Sequence, residues 1–259
     1  MPYYPQLATG NVAQYPAVKR HRTRTIANEA VEGSLVSLAD TAAEEIQWEL
    51  SYSGLSQTER EVLDGFFTAR EGRLETFVFP DPLGNLLALS DDPAVAPWQR
   101  DPLVQFTAGA SDPMGTSHAI HVVNAGGAAQ AFRQSIDVPG SYRCCFSFWA
   151  KGAGAVFAMK RAGIGRSMVA ENTWQRFEFT SAPGGTAPSV FSVELGPGAV
   201  MDIYGLQVEP QEAAGGYRRT AGAGDVYPQA RFDMDESVWV AEGVDSFSTT
   251  VKIRSAAAR

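Results

Sequence analysis

Apolar and polar side chains alternate most clearly between Ile46 and Tyr52. Every second residue of this segment is apolar, which is the period of a strand with one buried face. Looser apolar segments at 15–26 and 34–39 predict two earlier strands, and residues 74–79 predict a fourth strand that ends at Pro80. We expect the four segments to pair in one small antiparallel sheet.

One helix is marked at both ends between the third and fourth strands. Ser56 is the expected N-cap, Glu59 completes a capping box three residues later, and Gly72 is the expected left-handed residue after the last turn. A single helix covering a small antiparallel sheet or split barrel would bury its apolar side. The residues of this apolar stripe are Val62, Leu63, Phe66 and Phe67.

From about residue 85 the pattern changes to short alternating segments separated by Gly and Pro. Short strands at this spacing, with no helical period, predict a β-sandwich. The strand candidates are 119–123, 131–136, 141–150, 155–161, 176–180, 190–195 and 200–208.

Three more strand candidates close the chain, at 231–235, 238–240 and 247–254. Three strands are too few for an independent core, so we expect them to return to the first sheet. The pattern therefore predicts a mainly β protein in which the sandwich is inserted into another domain.

The expected boundaries follow from this order. Residues 1–83 and 226–259 form a discontinuous domain, a small split barrel or antiparallel sheet with one helix. Residues 84–220 form the inserted β-sandwich. The segment 213–225 is rich in Ala and Gly, which is typical of a linker.

Composition narrows the possible functions. The 259 residues are 44% hydrophobic and 19% charged, with a formal net charge of −8. A chain this apolar folds, and its acidic balance argues against specific nucleic-acid binding. It contains no apolar run long enough to span a bilayer, and the N-terminus lacks the basic and apolar regions of a signal peptide. We expect a protein without a membrane span, made in the cytoplasm and not exported by the Sec route.

The two cysteines, Cys144 and Cys145, are neighbours in the sequence. Adjacent residues on a strand point to opposite faces, so a disulfide between them is not expected. No further ligands flank them at the spacing of a zinc site. We interpret both as small packing residues in a reducing compartment.

The sequence offers no catalytic constellation and no cofactor motif. It has no Gly-x-Ser-x-Gly nucleophile elbow, and its Gly-rich segments lack the strand-loop-helix context of a phosphate-binding loop. His118 and His121 fall on a predicted strand, where residues three apart point to opposite faces. We expect no enzymatic activity, no cofactor and no metal centre. A glycosidase is the alternative; it would need two carboxylates about 5 to 9.5 Å apart across a cleft, and no pair of acidic residues stands out for this role.

Acidic residues leave a cation site open as an alternative. Asp233 and Asp235 share one face of a predicted strand, beside Glu236, where solvation or ion pairing is the expected state. Four further aspartates near the start of the sandwich favour a solvated loop, with structural calcium as the alternative: Asp91, Asp92, Asp101 and Asp112.

One basic cluster stands out near the N-terminus. If residues 15–26 form one strand, Arg20, Arg22 and Arg24 share a face. The aromatic residues that interleave with basic ones in single-strand nucleic-acid binders are missing here. We expect this row to contact acidic residues of a neighbouring subunit, with a plain solvated face as the alternative.

Trp98, Trp149 and Trp174 raise the possibility of carbohydrate binding. Most Trp side chains in a domain of this size belong to the core. On the predicted strand 141–150, however, Trp149 points away from the residues that form the expected core face, so it is the best candidate for a ligand platform. The core-facing residues of that strand are Tyr142, Cys144, Phe146 and Phe148.

The terminal segments resemble distal tail proteins of long-tailed bacteriophages and gene transfer agents. This resemblance implies a structural virion protein at the tail tip, without catalytic turnover. The copies would form a closed ring, a homohexamer, that connects the tail tube to the tip or baseplate hub proteins. The residues that resemble the family are Gln14 to Pro16, Glu45 to Leu50, Gly65 to Leu74, Thr76 to Pro82, Gln229 to Asp235 and Phe247 to Arg254.

The middle segment resembles jelly-roll, carbohydrate-binding-like modules of phage tail and baseplate proteins. The resemblance implies a sandwich that projects outward from the ring. The alternative function is an adhesin whose sandwich binds host-surface glycans. The matching residues are Asn85 to Leu87, Ser90, Trp98, Phe146 to Lys151, Thr173 to Arg176, Ile203 to Glu209, Tyr217 and Thr220.

Overall fold

The computed structural model describes residues 1–257, so residues 258 and 259 of the predicted closing segment lie outside the described residues. The protein is mainly β, as the alternation predicts, with one α-helix within this range. The first half contains β1 (Ala17–Arg22), β2 (Thr25–Glu29), β3 (Leu35–Ala39), β4 (Glu45–Leu55), α1 (Gln57–Ala69), β5 (Phe77–Pro80), β6 (Gln99–Arg100), β7 (Val104–Ala110) and β8 (Ala119–Asn124). The second half contains β9 (Gln130–Pro139), β10 (Cys144–Lys151), β11 (Ala155–Arg161), β12 (Ile164–Ala170), β13 (Gln175–Ser181), β14 (Pro188–Leu195), β15 (Val200–Glu209), β16 (Val226–Phe232), β17 (Val240–Gly243) and β18 (Ser246–Ala256).

The chain divides into two compact units. Unit 1 contains residues 1–8, 13–79 and 227–257, and unit 2 contains residues 9–12 and 80–226. Both ends of the chain therefore belong to the same unit. No helix among the described residues is long and apolar enough to cross a membrane.

Unit 1 is built on one sheet with the strand order β1-β4-β18-β16-β5. Strand β17 pairs with the first residues of β18, whereas β16 pairs with Ile253 and Arg254 near its end. Strand β4 alternates as predicted, with Trp48, Leu50 and Tyr52 at most 2% exposed. The hydroxyls of Tyr52 and Tyr4 are 3.0 Å apart in this core. The C-terminal strands β16 and β18 complete the sheet.

Helix α1 begins as the sequence predicts. The side chain of Ser56 accepts a hydrogen bond from the Glu59 backbone amide, and the Glu59 carboxylate accepts one from the Ser56 amide at 3.0 Å. The end of the helix differs by one residue, because Glu71 already has a left-handed backbone (φ 49°) before Gly72 (φ 60°). Val62 is 47% exposed, so it does not belong to the buried stripe.

The segment 15–26 is not one strand. Strand β1 ends at Arg22 in the main sheet, and β2 pairs only with β3 in a separate two-stranded hairpin. Every residue of both hairpin strands is exposed. The register places Ile26 opposite Leu38 and Asn28 opposite Val36, so these side chains share one face of the hairpin.

Unit 2 is a sandwich of two five-stranded sheets, with the orders β13-β10-β15-β8-β7 and β12-β11-β14-β9-β6. Its core includes Phe132, Phe146, Phe148 and Phe191, each fully buried. Cys144 and Cys145 are buried free thiols, which confirms the interpretation of both as packing residues.

The segment 213–225 packs against the sandwich, although its composition is that of a linker. The Thr220 hydroxyl donates to the Leu87 carbonyl at 2.6 Å, and the Asn85 side-chain amide donates to the Arg218 carbonyl at 3.0 Å. A Cβ at Gly224 would overlap the Leu86 carbonyl oxygen, so glycine is required by close approach of two backbone segments. This stretch is a fixed part of unit 2.

Strand β16 ends at Phe232, earlier than the alternation predicts. Asp233 and Asp235 therefore do not share a strand face. Instead, both lie beside Arg73, with nitrogen-oxygen distances of 3.8 and 3.6 Å. Ion pairing explains this acidic group.

Candidate functional site

The outer face of the sheet β13-β10-β15-β8-β7 carries a cluster of aromatic side chains. Trp149 on β10 lies opposite Tyr204 on β15, and their ring centroids are 5.8 Å apart. Tyr217, from the segment after β15, lies 5.3 Å from Tyr204 and 6.4 Å from Trp149. All three rings are partly exposed. We call this surface the aromatic face; it consists of Trp149, Tyr204 and Tyr217 with the flanking Lys151, Trp174 and Arg176.

A β-bulge positions Trp149. The pairing of β10 with β15 shifts register between Ser147 and Trp149, and Gly205 lies in the shifted part of β15. Gly205 has φ +70°, and a Cβ there would be 2.9 Å from the Trp149 ring. The ring therefore lies directly on the β15 backbone, which only glycine permits.

Two cations flank the aromatic rings. The Arg176 guanidinium lies 4.3 Å from the Trp149 ring centroid, and its Nη2 donates to the Ser147 hydroxyl at 3.1 Å. The Lys151 ammonium lies 5.2 Å from the Trp174 ring centroid and 3.3 Å from an Asp202 carboxylate oxygen. The face thus combines flat apolar surfaces with hydrogen-bond donors at their edges.

The other half of this sheet face is covered by the segment that follows β15. The fully buried Glu209 carboxylate accepts from the Gly215 amide at 2.9 Å and from Arg218 at 3.0 Å. The Gln207 side chain donates to the Gly216 carbonyl at 3.2 Å. The part of the face around Trp149 is not covered by these contacts.

The two phenols of the aromatic face remain protonated at neutral pH. Burial raises the pKa of Tyr204, and nearby Asp112 and Asp91 add to this. Burial also raises the pKa of Tyr217, whose hydroxyl donates to the Asp91 carboxylate. Tyr204 can therefore act as a neutral donor or acceptor toward a polar ligand.

The three tryptophans considered from the sequence have different environments. Trp98 is a core residue, 7% exposed, and its indole nitrogen donates to the carbonyls of Ala88 and Leu89 at 3.1 and 3.0 Å. Trp149 points away from the core and lies on the outer face. Trp174 precedes β13 and is half-buried against Lys151.

Arg24 is not in a row with Arg20 and Arg22. Strand β1 ends at Arg22, so Arg24 lies in the connection to β2, where its guanidinium is 3.6 Å from Asp40. Arg20 pairs with Glu49 of the same chain at 2.9 Å. Arg20 and Arg22 remain on the exposed side of β1.

The aspartates near the start of the sandwich serve separate local contacts. Asp101 accepts from the Ala131 amide at 2.9 Å and from Arg133 at 3.1 Å. Burial alone would raise the pKa of Asp112, but hydrogen bonds from the loop that follows lower it to about 2. Within residues 1–257, no three His, Cys, Asp or Glu side chains converge on a possible metal position.

His118 and His121, the pair considered from the sequence, have different environments as well. His118 precedes β8 and is exposed, whereas His121 lies on the outer sheet face. The Nδ1 atom of His121 is 2.7 Å from an Asp202 carboxylate oxygen. His121 therefore belongs to the rim of the aromatic face, next to Lys151.

No protein-family model matches the chain, and no curated protein matches its sequence. Among solved structures, it is similar to the enzymatically active domain of tailspike protein 4 from bacteriophage CBA120, with 18% identity and a TM-score of 0.41 over 51% of this chain and 22% of that chain. It is also similar to the carbohydrate-binding module TmCBM61, solved with β-1,4-galactotriose, with 19% identity and a TM-score of 0.36 over 48% and 97% of the two chains. A xylan-binding domain of carbohydrate-binding module family 22 gives 17% identity and a TM-score of 0.38 over 52% and 99%. The structural neighbours thus include a phage tailspike domain and carbohydrate-binding modules.

Proposed function

We propose that this chain is a structural subunit of a bacteriophage tail tip. Unit 1 assembles into a closed ring, a homohexamer, that connects the tail tube to the tip or hub proteins, and the sandwich is displayed on the ring. The role is assembly and passage, without catalytic turnover. Support comes from the resemblance of the terminal segments to distal tail proteins and, above all, from the exposed hairpin of unit 1.

The hairpin β2–β3 has the properties of a subunit contact. A two-stranded hairpin is marginally stable alone in water. This hairpin also has an uncovered apolar face, formed by Ile26, Val36 and Leu38, whose exposed fractions are 40%, 51% and 57%. Covering such an apolar face with a second copy of the chain would stabilise it. If the second copy covers it with a different surface, the contact is head-to-tail, and a rotation that closes then gives a ring.

Replacing Leu38 by Asp is expected to weaken self-association. A charge in the middle of the apolar face would have to be desolvated in the contact, which costs more than the interface gains there. We expect the wild-type protein to run above its monomer mass of 27.8 kDa in light scattering and the L38D variant to shift toward that mass. Ser37→Asp is the matched control, because Ser37 points to the opposite face of the same strand.

Electron microscopy of intact particles tests the ring directly. The expected image is a ring at the junction of tail tube and tip, and labelled protein would be found there. A wild-type protein that stays monomeric at high concentration and is absent from purified particles would contradict the proposal.

The aromatic face favours a second candidate function. We propose that the sandwich binds a saccharide there and acts as an adhesin toward host-surface glycans. Tyr204 offers a partly exposed ring for the apolar face of a sugar, and Trp149, between Gly205 and Arg176, offers its ring edge next to it. Lys151, Asp202 and His121 offer donors and acceptors for its hydroxyls at the edge of the rings.

Replacing Trp149 by Ala is expected to weaken saccharide binding by about 30-fold, which corresponds to about 2 kcal/mol for loss of a central aromatic anchor. A glycan array identifies the best ligand, and calorimetric titration of that ligand gives the change in affinity. Tyr15→Ala is the control, because Tyr15 is a largely exposed tyrosine of unit 1. An array on which the wild-type protein binds no saccharide would exclude this second function.

A further inference from the structure

Arg176 differs from most other cations of the sandwich. Several of these lie within ion-pairing distance of a carboxylate, including Lys151 with Asp202, Arg133 with Asp101, Lys160 with Glu194, Arg218 with Glu209 and Arg219 with Asp91. Arg176 forms no ion pair within residues 1–257; its described contacts are the Trp149 ring and the Ser147 hydroxyl. Arg100 and Arg166 also lack a carboxylate, but both are exposed to water. Arg161 lacks one as well, but it is fully buried and donates to four neutral oxygens, whereas Arg176 is half-buried and donates to one.

We propose that the saccharide bound at the aromatic face is acidic, and that Arg176 holds its carboxylate or sulfate group. This inference rests on the proposed saccharide binding. The guanidinium lies over the Trp149 ring, so a ligand that reaches this ring meets a positive charge first. A neutral sugar would have to displace Arg176 or leave it unpaired in the contact, at a cost in free energy.

The geometry of Arg176 suits an anion. Its Nη2 atom donates to the Ser147 hydroxyl and its guanidinium lies on the Trp149 ring, so two contacts hold the group in place. The Nε atom is buried, which leaves the Nη atoms to meet a ligand. A guanidinium held in place beside an aromatic ring is pre-organised, and its two Nη atoms can donate to the two oxygens of a carboxylate or sulfate. Binding an anion there would therefore order few additional side-chain torsions.

The neighbouring charges limit the anion to one position. Glu178 lies two residues beyond Arg176 on the same face of β13 and is exposed, so it would repel a second negative group on that side. On the other side, Asp202 contacts both Lys151 and His121. The face therefore fits an oligosaccharide with one acidic group near Arg176 and neutral hydroxyls near Asp202.

The test uses an array that carries matched pairs of oligosaccharides. Uronic and sialic acid oligosaccharides are printed beside their carboxyl-reduced forms, and sulfated ones beside their desulfated forms. We expect at least about tenfold stronger binding to the acidic member of one pair, and this preference should weaken as salt rises. The carboxylate and sulfate sets show which anion is bound.

Three variants assign the preference to Arg176. Arg176→Gln should remove the difference between the acidic and neutral members, and Arg176→Lys should keep part of it, because the charge remains. Arg166→Gln, on the exposed strand β12, should leave the difference unchanged. Thermal unfolding of each variant establishes that it is folded before binding is compared.

The outcomes separate this inference from the function on which it rests. Equal binding to both members of every pair, or stronger binding to the neutral ones, would overturn the acidic preference and leave saccharide binding intact. An acidic preference that survives in Arg176→Gln would overturn the role of Arg176. Binding to no member of any pair would overturn the proposed saccharide binding and the inference together.

Discussion

Replacing Arg161 by Met is expected to lower the free energy of unfolding of the sandwich by about 3 kcal/mol. Arg161, the last residue of β11, is fully buried, and its guanidinium binds neutral oxygens only. It donates to the backbone carbonyls of Tyr142, Ser181 and Pro139 at 2.5, 2.7 and 2.8 Å, and to the Ser189 hydroxyl at 3.0 Å.

Four acceptors of unit 2 receive a hydrogen bond from this one side chain, and of these the Pro139 carbonyl also accepts one from the Tyr142 amide. Methionine would fill a similar volume but would remove this donor from all four oxygens, of which the Pro139 carbonyl and the Ser189 hydroxyl lie in fully buried contacts. Each buried acceptor left unsatisfied costs about 1–3 kcal/mol. The variant no longer has to bury a charged guanidinium, and this gain offsets part of the total cost. The contact with the Phe191 ring, 5.0 Å from the guanidinium, is also lost.

Thermal unfolding and amide hydrogen exchange measure this effect. We expect faster exchange around residues 139–142 and 181–189 in the variant. Arg166→Met is the matched control, because Arg166 lies on the adjacent strand β12 and is exposed; its effect should stay within about 0.5 kcal/mol. An Arg161→Met variant as stable as the wild type would show that the network contributes nothing to stability.

Local signals made part of unit 1 predictable. The capping box of Ser56 and Glu59 lies within four residues, and the alternation of β4 lies within one strand, so both are visible in the sequence. The division of residues 15–26 into β1 and β2 depends on their pairing partners, which lie later in the chain: β1 pairs with β4, and β2 pairs only with β3. For the same reason the sequence misplaces Arg24, which no longer lies on the strand of Arg20.

The candidate site shows a similar division. Alternation along β10 predicts that Trp149 points away from the core. Tyr204 and Arg176 approach it only through the pairing of β15 and β13 with β10, and Tyr217 only through the return of the chain after β15. No pattern within a single segment predicts these contacts between different segments. The Ala- and Gly-rich composition of 213–225 predicts a linker, although the segment packs against the sandwich. Composition does not distinguish a glycine in a flexible segment from a glycine that close packing requires.

Replacing Phe232 by Ala is expected to destabilise unit 1 by about 3–5 kcal/mol, the usual cost of removing a buried phenylalanine. Phe232 lies at the end of β16 and is 2% exposed. Its ring centroid is 5.0 Å from those of Phe67 and Phe77 and 6.0 Å from that of Phe66. All three partners come from the first eighty residues, so this side chain joins the two ends of the chain in one core.

The two units have separate cores, so the effect should be confined to unit 1. Amide exchange followed by mass spectrometry should show lost protection in β4 and β18 and unchanged protection in β10 and β11. Val244→Ala is the control: Val244 lies in the exposed turn between β17 and β18, where truncation should change stability by no more than about 0.5 kcal/mol. Equal loss of protection in both units would instead mean that the sandwich depends on the core of unit 1. A confined loss would show that β16 stabilises unit 1 while the sandwich folds on its own contacts.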